Sequence, residues 1–107
     1  MCYTITMINY RSEAELQQVL SEFDVPKLTF ASRKDAGPDE ELYFFEDASG
    51  TKYGVWARDY MDELKYEKTT LKNDFNIEVG SWLNLKNSSG QTTEFDGDTY
   101  AVFTIKN

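Results

Sequence analysis

Residues 41–60 have the sequence ELYFFEDASGTKYGVWARDY, in which six of twenty residues are aromatic against 15% in the whole chain. An apolar run ends at Glu46, and the four residues from Asp47 to Gly50 are of the types that form tight turns. An extended pattern resumes at Thr51 and continues to Arg58. The segment therefore predicts a β-hairpin, around which the other elements can be arranged.

Side chains alternate between the two faces of a strand. On the second predicted strand of the hairpin, Tyr53, Val55 and Ala57 share one face and Trp56 lies on the other. We expect the first face to line the core and Trp56 to lie outside it.

The chain has 107 residues, of which 40% are hydrophobic and 28% charged. This length predicts a single domain, residues 1–107. No segment approaches the roughly 18 apolar residues of a membrane span, and no signal peptide is apparent. Cys2 is the only cysteine, which excludes an intrachain disulfide and suits a reducing compartment. We expect a cytoplasmic monomer or small homo-oligomer with no membrane partner.

Two helices are predicted. Ser12 can cap the first, with Glu15 completing a capping box, and four apolar residues follow at helical spacing: Leu16, Val19, Leu20 and Phe23. Asp59 can cap the second, whose apolar positions include Tyr60, Leu64 and Leu71. Besides the hairpin, strands are predicted over residues 2–9, 27–34, 81–86 and 99–105, with brief pairing of residues 92–95 and a tight turn at Asp96-Gly97.

From residue 27 onward this order is three strands, a helix and two strands. It resembles the OB-fold, a partly open five-stranded barrel that often binds single strands or oligosaccharides. The resemblance is one of element order over about three quarters of the chain. We therefore predict an α+β fold: a five-stranded OB-like barrel or a strongly bent antiparallel sheet, with one helix between strands 3 and 4. An N-terminal strand and helix precede it.

Catalytic chemistry has few candidates in this sequence. There is no histidine, which excludes the Ser-His-Asp and Cys-His arrangements and histidine metal ligands. One cysteine cannot build a zinc site, and Asp96 with Asp98 lacks the remaining ligands of a calcium loop. Glu46 and Asp47 beside Trp56 suggest glycoside hydrolysis, but short elements offer little cleft. We expect no enzyme, metal or cofactor.

Charge is the strongest global property of the chain. Eleven basic and nineteen acidic residues give a formal net charge of −8 at pH 7. Such a field disfavours nucleic acid and favours basic partners. Solubility alone is the alternative explanation, because a charge of this size is ordinary for a small domain.

The acids occur in two groups. Five of the nine residues from Asp39 to Asp47 are acidic, and a second group precedes the last predicted strand. If the fold brings both groups to one edge, their carboxylates can imitate a phosphate backbone and bind a basic protein surface. The candidate protein-binding residues are Asp39, Glu40, Glu41, Tyr43, Glu46, Asp47, Glu94, Asp96 and Asp98. The alternative is that these acids are solvated turn residues.

In size, acidity and lack of catalytic residues the chain resembles the small acidic inhibitors that phages make against host defence nucleases, the anti-CRISPR proteins among them. The resemblance covers general character and no specific motif. It implies a partner with a basic nucleic-acid-binding surface, such as a nuclease, and a location in the host cytoplasm.

A second hypothesis uses the aromatic residues. An OB-fold can bind single-stranded DNA or RNA by stacking bases on exposed rings while basic side chains contact the phosphates. The residues for this alternative are Tyr43, Phe45, Lys52, Trp56, Arg58, Trp82 and Lys86. The competing explanation is that these rings fill the core of a small barrel.

Overall fold

The computed structural model describes residues 11–37, 40–59, 67–86, 92–95 and 97–106. The elements in chain order are α1 (Glu13–Leu20), β1 (Thr29–Gly37), β2 (Glu40–Glu46), β3 (Lys52–Asp59), α2 (Lys68–Phe75), β4 (Val79–Trp82), β5 (Thr92–Phe95) and β6 (Asp98–Ile105). The strand predicted over residues 2–9 lies outside the described residues. Within the described ranges, neither helix is long and apolar enough to cross a membrane.

All six strands belong to one antiparallel sheet with the order β1-β2-β3-β6-β4. Strand β6 is long enough to pair twice on the same side, with β5 along its first half and β4 along its second half. No pairing joins β1 to β4 among the strands described, so the sheet is open. The predicted α+β class and antiparallel sheet are confirmed, but a closed barrel is not seen.

Apolar residues pack on both faces of the sheet. On one face, α1 packs with Tyr43, Val55 and Val102 in a first cluster of buried side chains. On the other, Leu71 of α2 packs with Trp56 in a second cluster. Trp56 is fully buried, so the expectation that it lies outside the core is wrong. Alternation along the strand predicted one buried face of the sheet. The other face is also buried, because α2 covers it.

The first helix begins as predicted but ends at Leu20, before Phe23, which forms an isolated β-bridge with Leu85. The Ser12 hydroxyl accepts a hydrogen bond from the Glu15 backbone N–H at 3.1 Å, which satisfies one of the free donors of the first turn. Leu16, Val19 and Leu20 are buried against the sheet, as their spacing indicated.

The second helix lies later in the chain than predicted. Its N-cap is Glu67, which makes no capping hydrogen bond through its side chain. It ends at Phe75 and is capped by Asn76, whose left-handed backbone (φ 56°) turns the chain so that the Ile77 N–H donates to the Leu71 carbonyl at 3.0 Å. The predicted start after Asp59 falls on residues 60–66, outside the described residues. Leu71, expected on the apolar side of this helix, is fully buried.

A close approach within the sheet depends on Gly54. Gly54 of β3 lies directly opposite Phe103 of β6. A Cβ at position 54 would lie 2.3 Å from Cζ of the Phe103 ring, well inside van der Waals contact. Phe103 therefore lies across the β3 backbone and meets Trp82 edge-on at 5.4 Å between ring centroids.

Candidate functional site

Strand register brings part of each acidic group to one end of the sheet. Glu40 pairs with Arg58, Arg58 with Thr99, and Thr99 with Glu94. Directly opposed residues share a face, so these four form one row across β2, β3, β6 and β5. Three strand spacings separate Glu40 from Glu94, or about 14 Å.

The neighbouring positions add further acidic residues. Asp35 lies opposite Glu41, and Asp59 lies opposite Asp98. We call this region, with the Glu40–Glu94 row, the acidic end of the sheet. Its six acidic residues are Asp35, Glu40, Glu41, Asp59, Glu94 and Asp98.

Arg11 neutralises part of the acidic end. Its side chain, only 7% exposed, forms ion pairs with Glu41 and, at 2.6 Å, with Asp98. Its Nε donates to the Tyr100 hydroxyl at 3.2 Å, and that hydroxyl donates to Glu15 of α1 at 2.6 Å. Arg11 thus links β2 and β6 directly and reaches α1 through Tyr100.

Two tyrosines complete this polar network. The Tyr43 hydroxyl accepts from the Arg11 backbone N–H at 3.0 Å and donates to Glu41 at 3.3 Å. Burial raises the pKa of Tyr43, and burial also raises the pKa of Tyr100, whose hydrogen bond to Glu15 acts in the same direction. Both hydroxyls therefore remain protonated donors near neutral pH.

A second arginine lies on the opposite face of the sheet. Oε1 of Glu40 accepts hydrogen bonds from Trp56 Nε1 at 2.9 Å and from Arg58 Nε at 3.0 Å. The Arg58 guanidinium lies 4.1 Å from the Trp56 ring centroid, a cation–π geometry. Donors on buried residues thus hold one oxygen of the Glu40 carboxylate, and 29% of the Glu40 side chain is exposed to solvent.

The acids predicted as one group from Asp39 to Asp47 are divided by β2. Glu40 and Glu41 begin this strand, whereas Glu46 and Asp47 lie at the hairpin turn. Six residues of extended chain separate Glu40 from Glu46, or about 20 Å. The structure therefore does not bring Glu46 and Asp47 to the acidic end.

The acidic residues at the turn lie next to a basic residue or to hydrogen-bond donors of the hairpin itself. Glu46 lies opposite Lys52 in the register of the hairpin. The Asp47 carboxylate accepts from the Ser49 hydroxyl at 2.8 Å and from the backbone N–H groups of Ser49 and Thr51. The Ser49 hydroxyl is the main cause of a lowered pKa for Asp47, supported by the backbone donors. Asp47 thus stabilises the turn.

Two predicted site residues, Asp39 and Asp96, lie outside the described residues. Glu94 is exposed and Asp98 is partly exposed, both at the acidic end. Tyr43 is almost fully buried, so it cannot serve as an exposed anchor in this conformation.

The residues of the aromatic hypothesis do not form an open stacking surface. Tyr43, Phe45 and Trp56 are buried in the two apolar clusters, and Arg58 is buried over the Trp56 ring. Trp82 is partly exposed and packs against the second cluster, which contains Trp56. Lys52 and Lys86 are exposed. The bases of single-stranded DNA or RNA would therefore lack the set of exposed aromatic rings that this hypothesis requires.

Sequence reasoning missed several members of this site. Arg11 comes just before the N-cap residue of α1. No local pattern at this position distinguishes an arginine buried among carboxylates from one exposed to solvent. Tyr100 is predicted from the sequence only as a residue of the last strand. Asp35 and Asp59 could have been found by extending the hairpin register outward to the neighbouring strands.

No group of three or more acidic or cysteine side chains suited to a metal ion occurs among the described residues. The arrangement is one of ion pairs and exposed carboxylates, suited to electrostatic recognition. Comparison with protein-family models, curated proteins and solved structures gives no match. The site is therefore interpreted from its own geometry.

Proposed function

We propose that this chain is a non-enzymatic binding protein whose acidic end docks on a basic surface of another protein. The observation that carries this proposal is the strand register, which places six acidic residues at one end of the sheet. Arg11 and Arg58 compensate part of that charge, and carboxylates remain in excess. The formal net charge of −8 adds a long-range attraction for cationic partners.

The opposite end of the sheet provides the contrast. There Lys52 lies opposite Glu46, and Lys106 donates its backbone N–H to the Glu78 carbonyl. Three acidic residues, Glu46, Asp47 and Glu78, thus share this end with two basic residues, Lys52 and Lys106, so the formal charges largely balance. A cationic surface would be steered toward the acidic end.

The narrower form of the proposal concerns the partner. A nuclease that binds nucleic acid through a basic groove presents regularly spaced cations, and spaced carboxylates are their electrostatic complement. Inhibition of a host defence nuclease, as in the anti-CRISPR proteins, is the activity that we propose on this basis.

Two double variants of equal charge test the docking surface. Asp35→Lys with Glu94→Lys changes exposed residues of the acidic end. The turn variant, Glu46→Lys with Glu78→Lys, changes one exposed residue at the turn and one just before β4, at the opposite end of the sheet. The probe is a fluorescein-labelled peptide rich in arginine and lysine, titrated at two salt concentrations. We expect the acidic-end variant to bind at least about tenfold more weakly than the turn variant, a difference of about 1.4 kcal/mol.

Equal weakening in the two variants would show that only net charge matters and would contradict the proposal. Inhibition of a nuclease by this protein is tested separately. Purified guide-RNA-loaded nucleases are mixed with it, and cleavage of a labelled target is followed. Inhibition should fall in the acidic-end variant and persist in the turn variant. Inhibition that both variants retain would place the contact elsewhere.

A further inference from the structure

A cavity of about 190 Å³ lies where the end of α1 meets the residues that lead into β1 and the segment that follows β4. Three of its lining residues, Leu20, Phe23 and Leu28, belong to the first buried cluster. Val25 and Pro26 extend this apolar lining toward the surface. The cavity is open to solvent on its outer side, so a small molecule can enter it without unfolding of the chain.

Hydrogen bonds between distant parts of the chain fix the shape of this cavity. The side-chain Nε2 of Gln17, on α1, donates to the Leu28 carbonyl at 3.1 Å and joins the helix to the start of the sheet. The Lys86 backbone N–H donates to the Glu22 carbonyl at 2.9 Å and joins the segment after β4 to the end of the helix. A cavity that exists before binding reduces the ordering that a ligand must impose.

Both charged residues that line the cavity are basic. Lys27 and Lys86 are exposed, and neither ammonium group forms an ion pair with another described residue. The acidic residues of the adjoining segment, Glu22 and Asp24, do not line the cavity. The cavity therefore favours an anion, although the chain as a whole carries a formal net charge of −8.

We propose that this cavity binds a small aromatic carboxylate, with the ring against the apolar lining and the carboxylate beside the ammonium groups of Lys27 and Lys86. An apolar cavity of about 150 Å³ can hold benzene. A volume of about 190 Å³ therefore suits one ring with a short substituent. An anion without a ring would leave the apolar lining in contact with water, and a neutral ring would not use the lysines. No lining residue belongs to the acidic end, so this site is independent of the proposed docking function.

Three probes of similar simplicity separate the contributions of ring and charge. Benzoate has both, benzamide has the ring without the charge, and acetate has the charge without the ring. Titrations of the ¹⁵N-labelled protein are followed by NMR. We expect benzoate to bind with a dissociation constant of about 1 mM, as is usual for so small a ligand, and to shift the backbone amides of Gln17, Phe23 and Leu28. Benzamide and acetate should bind at least about tenfold more weakly.

Two double variants of equal charge test the role of the lysines. Lys27→Gln with Lys86→Gln removes both charges of the cavity, and Lys34→Gln with Lys106→Gln removes two exposed lysines that do not line it. We expect benzoate to bind about tenfold more weakly to the first variant and within about twofold of the parent to the second. The amide spectra establish that both variants fold.

Several results would overturn the proposal. Equal weakening in the two variants would show that only the net charge matters, and benzamide binding as tightly as benzoate would show that the lysines do not select the ligand. Shifts confined to residues away from the lining would place the ligand elsewhere. Absence of benzoate binding up to about 10 mM would exclude the site itself.

Discussion

The contact between Gly54 and Phe103 gives a sharp test of how the sheet is packed. Three ring atoms of Phe103, Cζ, Cε2 and Cε1, lie 2.3, 2.4 and 3.0 Å from the position of a Cβ at residue 54. Gly54→Ala therefore requires the ring to move. The ring is fully buried and contacts Trp82, so it has little room for this movement.

The magnitude follows from two opposing effects. Replacing glycine with alanine where the backbone is compatible stabilises a protein by about 0.4–1 kcal/mol, through the unfolded chain. Overpacking a dense core costs about 1–3 kcal/mol. We expect Gly54→Ala to lower the free energy of unfolding by about 1–2 kcal/mol. This corresponds to roughly 4–16 °C in melting temperature at 4–8 °C per kcal/mol.

A double-mutant cycle isolates the contact. Phe103→Leu removes the three ring atoms that oppose the Cβ, at a cost of its own. In that background Gly54→Ala should be neutral or stabilising, which gives a coupling energy of about 1–2 kcal/mol in urea denaturation. A Gly54→Ala variant as stable as the parent, or an equal loss in both backgrounds, would refute the packing of Phe103 across β3.

Three further predictions concern the polar network and α2. Arg11→Met should cost about 3 kcal/mol in urea denaturation, because it leaves Glu41 buried without its counterion; a loss below about 1 kcal/mol would contradict the network. Leu71→Ala should lower the free energy of unfolding by about 2–5 kcal/mol, and Lys72→Ala, at the exposed neighbouring position, should leave it almost unchanged. Equal losses of stability in the two variants would show that α2 does not cover the second face. The free energy of unfolding should fall as pH rises above about 10. Burial raises the pKa of Tyr100 in the folded state, so the unfolded chain loses this proton at a lower pH than the folded chain does. Tyr100→Phe should shift that alkaline transition, followed by circular dichroism, and an unchanged transition would contradict this assignment.

Local signals in the sequence predicted local structure well. The turn at Asp47 and the Ser12 cap depend on residues within four positions of each other, so their chemistry is visible in a short window. Trp56 shows where this approach fails. Its burial depends on α2, which lies beyond the strand that carries it, and alternation along β3 cannot reveal a second covered face.

The candidate site was predicted in part for the same reason. The sequence identified Glu40, Glu41, Glu94 and Asp98, but it grouped acids by their distance along the chain. Within an extended strand, residues six positions apart lie at opposite ends of the sheet, whereas opposed residues on neighbouring strands are adjacent. Register therefore separates Glu46 from this group and brings in Asp35 and Asp59.

Gathering carboxylates at one end of a small sheet is unfavourable for folding, because like charges on neighbouring strands repel each other. Arg11 and Arg58 reduce this cost by pairing with the carboxylates that are most buried. Asp35 and Glu94 remain exposed at the rim, where their charge adds little to stability but extends into solvent. Ion pairs inside and exposed acids outside are compatible with both a folded domain and a surface that attracts a basic partner. Substitution of Asp35 and Glu94 should accordingly weaken partner binding far more than it changes the free energy of unfolding.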